Sequence, residues 1–363
     1  MPIHEESFRI GCGRYIQGSG YISKIAEEVL ILGKKPIIIG DNITLGLTRD
    51  KIERSLSTLC NNYEVIYHNG TCHDERAMEL ADYMQSGGFD VVIGVGGGVI
   101  MDFAKLTAHF AGAKIINIPT SSATCAAYAP LSVRYTPEGK TVGSKHYKTE
   151  VNAVIADTEI LAAQPVRLLL SGVFDAMAKF LEIKQRYNPN SSGDFPLGLD
   201  YAYAMATRSF DVLCKKTDDC IADMLHGEIT SAVDNVIFTT IAATGVISGI
   251  ARGSNQCAIA HKFYENVRKF FPVISKPYLH GEIVGIGLLI QNHFNGEEQN
   301  NDFLLGIMKK HDMPHCLADL GIEASEENKK LFFDAISNSS AVDKNNVSEC
   351  EKLKAALDYF FNM

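Results

Sequence analysis

The chain has 363 residues, 46% hydrophobic and 21% charged, enough apolar material for a sizeable core and for two domains. A formal net charge of -9 leaves no basic footprint for nucleic acid, and no uninterrupted apolar run reads as long enough to cross a bilayer. Nine cysteines with no C-x-x-C pair point to thiols in a reducing cytoplasm, and the start, MPIHEESFRIGCGRY, shows no basic stretch leading into an apolar core, so no secretory signal is expected.

In chain order, SFRIGCGRYI reads as an edge strand, pairing either across a subunit interface or in a hairpin. The helical pattern YISKIAEEVLILG follows, then strands at 35–41, 63–69, 90–98 and 114–120, with the helix DERAMELADYMQSG before the third of them. Strands alternating with helices predict βαβ units and a Rossmann-like parallel sheet. Beyond Ala162 the strand signal fades into long helical patterns over Asp200–Lys215, Asp218–Ser248 and His280–His293, interrupted by a loop, NPNSSGD, at 188–194. The expected organisation is a Rossmann-like α/β domain over 1–160 and an all-helical domain over 161–363.

The run VVIGVGGGVIMDFAKL places Gly96, Gly97 and Gly98 between a strand and a helix. Bare backbone at a helix N-terminus suits a phosphate, because the free N–H groups and the helix dipole face the anion and no Cβ stands in its way. A tight turn that needs glycine only for its dihedrals explains the same residues. The run departs from the G-x-G-x-x-G fingerprint, since its third position is Val99. Asp41 ends the strand IIIGD, where a carboxylate can accept hydrogen bonds from an adenosine ribose or serve as ordinary turn chemistry.

These residues resemble the iron-containing alcohol dehydrogenase and glycerol dehydrogenase family, related to dehydroquinate synthase. GVGGGVIMDFAK is similar to the family's G-G-G-x-x-x-D-x-A-K signature, and PTSSATCAAYAPLSVRY resembles its next nucleotide and substrate loop. SGVFDAMAKFLE, AIAHKFYENV and YLHGEIVGIG match its three metal-ligand segments in order, so the resemblance runs over nearly the whole chain. The loop ATCAAYAPLSV is most similar to the hydroxycarboxylate dehydrogenase branch.

The resemblance implies that Asp175, His261 and His280 bind one divalent ion, zinc or iron, and form the catalytic site. On spacing alone each histidine reads as a structural residue, since the three segments lie far apart and make no local motif. A lone carboxylate at Asp175, within an apolar helical run, needs a cation or hydrogen-bond partner. The resemblance further implies that Gly97 and Gly98 hold the cofactor pyrophosphate, that Thr120, Ser121, Leu131 and Tyr135 line the cofactor, and that Asp102 lies near its nicotinamide. An acidic Asp41 suits the ribose hydroxyls of NAD and repels the 2′-phosphate of NADP.

Cys125 stands where glycerol dehydrogenases have an aspartate that hydrogen-bonds the polyol, and a thiol is a poor replacement for that acceptor. Without that negative charge an anionic 2-oxo acid, or its 2-hydroxy acid, becomes the favoured substrate over glycerol. Arg134, Lys145 and His146 offer cationic partners for its carboxylate, or read as plain surface charge. Val99 and Ala129, where glycerol dehydrogenases have lysine and serine, are expected to retune cofactor contacts only. The expected partners are a small-molecule substrate and further copies of the chain in a homo-oligomer, with no nucleic acid and no membrane. A dehydroquinate synthase-like lyase and a non-catalytic nucleotide-binding relative are the competing classes.

Overall fold

The computed structural model describes residues 10–59, 62–187, 196–251 and 255–363, so the 188–194 loop and the first residues of the N-terminal strand stretch lie outside it. The first unit alternates strand and helix: β1 Arg14–Gly18, α1 Ile25–Leu32, β2 Pro36–Gly40, α2 Asn42–Leu59, β3 Glu64–Tyr67, α3 Asp74–Gly87, β4 Val91–Gly96, α4 Gly98–Ala111 and β5 Lys114–Pro119. A hairpin of β6 Leu131–Tyr135 and β7 Thr141–His146 precedes β8 Ala153–Asp157 and the short α5 Thr158–Ala162. Six strands form a parallel sheet in the order β1-β8-β5-β4-β2-β3, as the alternating pattern predicts.

The central strands β2, β4, β5 and β8 are buried on both faces, which explains their near-continuous apolar runs. Side chains alternate along a strand, so Ile37, Ile39 and Val92 pack on one side with α3 and α4 residues such as Leu80, Phe103 and Ala104. Ile38, Val91, Ile93 and Val95 point to the other side, against Ile25, Val29, Ile52 and Leu56 of α1 and α2.

The N-terminal stretch departs from one of its expected roles. β1 pairs in parallel with β8 of the same chain, from Arg14 opposite Ala153 to Gly18 opposite Asp157, so it is an edge strand of the sheet, as expected, and not half of a hairpin. Its partner lies more than a hundred residues along the chain, a pairing no local pattern announces.

The remaining helices are α6 Val166–Arg186, α7 Leu197–His226, α8 Ser231–Phe238, α9 Thr244–Ala251, α10 Ile259–Phe270, α11 Pro272–Ser275, α12 His280–Phe294, α13 Asn301–Lys310, α14 Glu326–Ser337 and α15 Val347–Phe361. The long helix expected over Asp218–Ser248 is broken. Gly227 adopts a left-handed φ of 73° after α7, the Thr230 side chain caps α8 by accepting from Ala232 N, and a π-helical turn at Thr239–Ala243 leads into α9. Ser231–Ala251 is, against expectation, long and apolar enough by length and composition to cross a membrane, but most of it is buried within the protein, as in the core helix of a globular fold.

The described chain forms two compact units, one of residues up to Gln164 together with Lys215–Gly249, the other of Pro165–Cys214 and Ile250–Met363. Lys215–Gly249, read from sequence as part of the helical half, thus belongs to the unit that holds the sheet. The second unit is helical, with α12 packed against α6, α10 and α15. Its core includes Phe174, Phe263 and Phe332.

Candidate active site

Close helix packing assembles the metal-type cluster. A Cβ on Gly281 would lie 1.7 Å from the Ser171 carbonyl oxygen of α6, and one on Gly287 would lie 2.7 Å from the Ala260 carbonyl oxygen of α10. Only glycine lets α12 approach both helices this closely. That approach brings together Asp175 from α6, His261 from the first turn of α10 and His280, the first residue of α12, with one ligand atom from each within 4.8 Å of the others.

Asp175 Oδ1 lies 3.3 Å from His261 Nε2 and 3.2 Å from His280 Nε2. Asp175 and His261 are buried, and the ring of Tyr264 meets that of His280 edge-on with centroids 4.3 Å apart. Burial alone would raise the Asp175 carboxyl. The charge of His280 and hydrogen bonds from both histidines instead hold it well below the usual carboxylate range.

The far side of the His261 ring is also engaged. Glu182, fully buried on α6, lies with Oε2 2.5 Å from His261 Nδ1, and its Oε1 accepts from Ala258 N at 2.7 Å and His261 N at 2.9 Å. Burial alone would depress the His261 imidazole, yet Glu182 foremost raises it well above the ordinary histidine value. His280 is anchored through its helix start: Leu279 N donates to Glu282 Oε2 at 2.7 Å, and Arg167 grips both Glu282 oxygens. Arg268 donates to the carbonyls of Ser275 and Tyr278 in the approach to the same turn.

One carboxylate and two imidazoles, with a second carboxylate behind one ring, are the donors a divalent zinc or iron ion takes. The residues fit such an ion. Glu182, Glu282, Arg167 and the α12 glycines were not singled out in the sequence, although Glu182 lies seven positions beyond Asp175 in SGVFDAMAKFLE and so on the same face of α6.

In the sheet unit, the chain passes from β2 to β3 on one side and returns to β4 on the other, so the strand order reverses between β2 and β4. Ligands of open α/β sheets bind at the carboxyl ends of strands at such a reversal. Asp41 follows β2, Gly97 follows β4 and Thr120 follows β5. Gly97 is the N-cap of α4 and no side chain caps that helix. A Cβ on Gly97 would lie 3.7 Å from Ser121 Oγ, and one on Gly98 3.5 Å from Thr124 Oγ1, so the turn is an open cradle edged by hydroxyls.

Asp41 also performs the turn role considered for it, as Oδ1 caps α2 by accepting from Ile43 N at 2.9 Å and Thr44 N at 2.7 Å. Asp102 is committed to structure. Its Oδ1 pairs with Lys105 at 2.9 Å and its Oδ2 accepts from Val133 N at 3.0 Å, which ties α4 to β6. Leu131 and Tyr135 sit at the two ends of β6, and Tyr135 N donates to the Cys72 carbonyl at 2.8 Å. The Cys125 carbonyl accepts from Tyr128 N and Ala129 N, forming the turn that precedes β6. Of the cationic candidates, Arg134 is paired with Asp74 at 2.6 Å and Lys145 lies over the Phe110 ring.

The family model for iron-containing alcohol dehydrogenase matches residues 12–158. A glycerol dehydrogenase of Thermotoga maritima is 29% identical over 322 residues, covering 86% of this chain and 84% of its own. Hydroxycarboxylate dehydrogenase A of Escherichia coli K12 is 29% identical over 263 residues, 72% of this chain and 71% of its own. In fold, the crystal structure of a glycerol dehydrogenase from Schizosaccharomyces pombe superposes with a TM-score of 0.79 at 24% identity, over 98% of this chain and 91% of that one. The match to the iron-containing alcohol dehydrogenase family model and the similarity to glycerol dehydrogenases indicate an oxidoreductase acting on CH–OH groups. Enzymes of this family use NAD and a metal ion.

Proposed function

We propose that the protein is an NAD-dependent, zinc- or iron-dependent dehydrogenase that interconverts a small 2-hydroxy acid and its 2-oxo acid. The observation that carries the metal reading is the convergence of Asp175, His261 and His280 from three helices, with Glu182 behind His261. When bound, the ion supplies Lewis-acid polarisation of the substrate oxygen and NAD supplies or accepts hydride. Asp175, His261 and His280 are the residues that would hold the ion, and burial of Asp175 and His261 limits competing water around it. The backbone of Gly97 and Gly98, with the Ser121 and Thr124 hydroxyls, would receive the pyrophosphate, and Thr120, Leu131 and Tyr135 the rest of the cofactor. Asp102, paired with Lys105, holds β6, and its expected place near the nicotinamide stays part of the same reading.

The 2-oxo acid is favoured because Cys125 stands where the resembled glycerol dehydrogenases have an aspartate, and it draws support from the hydroxycarboxylate dehydrogenase relative. The second reading, glycerol oxidation, is favoured by the glycerol dehydrogenase relatives, among them those of Thermotoga maritima and Pseudomonas putida. Cytoplasmic residence accords with the absence of any disulfide among the described cysteines. Association into a homo-oligomer belongs to the same reading, and light scattering tests it.

The deciding assay compares NADH oxidation by 2-oxobutanoate or 2-oxoglutarate with NAD reduction by glycerol, on zinc-loaded and iron-loaded protein. Turnover with the oxo acids alone is expected, and Cys125→Asp should move activity toward glycerol. Turnover with glycerol alone would overturn the substrate assignment.

A further inference from the structure

The His261 ring lies between two carboxylates of one helix, Asp175 at its Nε2 and Glu182 at its Nδ1. Glu182 is fully buried, and both of its oxygens are occupied. Oε1 accepts the backbone N–H groups of Ala258 and His261, which fixes the start of α10, and Oε2 accepts the Nδ1 proton, which fixes the rotation of the ring. A carboxylate can only accept in this setting, so the proton of a neutral ring is drawn to Nδ1 and the lone pair is left on Nε2, facing Asp175 and His280.

We propose that Glu182 is a positioning residue for the metal site, holding the tautomer and orientation of His261 so that Nε2 is available as a ligand. This rests on the metal reading above. A rival arrangement has Glu182, Cys257 and His261 as ligands themselves, since their donor atoms also lie within 4.8 Å of one another. An ion held there by His261 Nδ1 and a Glu182 oxygen would have to displace the short 2.5 Å bond between them, whereas the Asp175–His261–His280 set gives up only the longer contacts of Asp175 with the two rings, at 3.3 and 3.2 Å.

Glutamine cannot replace Glu182 without conflict. With a single carbonyl oxygen, its amide must turn an NH2 group either toward the two backbone N–H donors or toward Nδ1. The first opposes donors to donors. The second favours the tautomer whose proton sits on Nε2, where a ligand lone pair is needed.

The test measures zinc affinity by chelator competition in the full-length protein, with circular dichroism to verify the fold. Glu182→Gln should weaken zinc binding about 10–100-fold, the usual cost of losing such a partner, whereas Cys257→Ser should leave it unchanged. In a His261→Ala background Glu182→Gln should cause no further loss, because Glu182 acts through that ring. Unchanged affinity in Glu182→Gln, or an equal loss in the His261→Ala background, would overturn the positioning role and leave the metal reading intact. Loss of zinc in Cys257→Ser alone would place the ion on the rival set and overturn it as well. Failure of the unsubstituted protein to bind either zinc or iron stoichiometrically would instead remove the metal reading and this proposal with it. Should Glu182→Gln fail to fold, long-range 1H–15N NMR of the unsubstituted, zinc-loaded protein decides. A His261 proton on Nδ1 supports the proposal and a proton on Nε2 refutes it.

Discussion

Lys105 Nζ lies 2.9 Å from Asp102 Oδ1, one turn back along α4, and both side chains are almost wholly buried. The same ammonium donates to the carbonyls of Ala126, Ala129 and Leu131, so a single cation ties α4 to the segment that runs from the Cys125 turn into β6. Burial pushes the Asp102 carboxyl up even with Lys105 beside it. Removing one member of a buried pair leaves the other charge uncompensated, at a cost of about 3–5 kcal/mol. Lys105→Met should therefore lower stability by about that amount in urea titrations and weaken NADH binding, since the segment it tethers carries the proposed cofactor contacts. Stability within about 1 kcal/mol of the parent would show the pair to be dispensable.

Two neighbouring glycines separate a packing requirement from a ligand requirement. A Cβ on Gly96 would fall 2.8 Å from Ile100 Cβ, inside contact distance, whereas one on Gly98 would find Thr124 Oγ1 at 3.5 Å and Ala126 Cβ at 3.7 Å. Gly96→Ala should cost about 1–3 kcal/mol through forced repacking. Gly98→Ala should fold at least as stably, because alanine is the better helix former, yet lose tenfold or more in NADH affinity as its methyl fills the proposed pyrophosphate turn. Fluorescence titration with NADH and thermal melting of both variants check the pair. Undiminished NADH binding by Gly98→Ala would remove that turn from the cofactor site.

Stability should be lost on the alkaline side. Burial pushes the Cys12 thiol up to about 11 and the Cys220 thiol up to about 12, and it raises Cys72 and Tyr15 as well. The folded state thus keeps protons that the unfolded chain releases from about pH 9 upward. The unfolded state then binds fewer protons, and stability falls as pH rises. The contribution is fully present below about pH 9 and lost as pH climbs through the folded values. Urea midpoints should be flat from about pH 7 to 8.5 and decline from about pH 9 to 11, less steeply in Cys220→Ala. A midpoint that does not move over that range would contradict the burial of these thiols.

The parallel sheet was legible because each strand from β2 to β5 is a short β-branched run between helical patterns, and burial on both faces requires such runs. β1 and β8 were not predicted as partners, since they meet only through long-range pairing. The break after His226 was hidden in a helical periodicity that Gly227 and Thr230 interrupt. At the site, Asp175, His261 and His280 came from resemblance and not from spacing, because the geometry that joins them lies in backbone contacts at Gly281 and Gly287. Glu182 escaped notice for a different reason. A buried glutamate in an amphipathic helix looks like any polar position until its partner, 79 residues along the chain, is in view.

Asp41 carries two roles that one substitution can separate. Its Oδ1 caps α2 through Ile43 N and Thr44 N, and its charge stands at the end of β2, where an adenosine ribose is expected. Asp41→Gly removes cap and charge together, so a change in that variant would be ambiguous. Asp41→Ser keeps an oxygen able to cap the helix and removes only the charge, with a stability cost of no more than a few tenths of a kcal/mol, about the spread among good capping residues. If the carboxylate selects NAD by repelling a 2′-phosphate, Asp41→Ser should raise NADPH use relative to NADH by tenfold or more in kcat/KM while the melting temperature holds. An unchanged cofactor ratio in a stably folded Asp41→Ser would leave Asp41 as a helix cap alone.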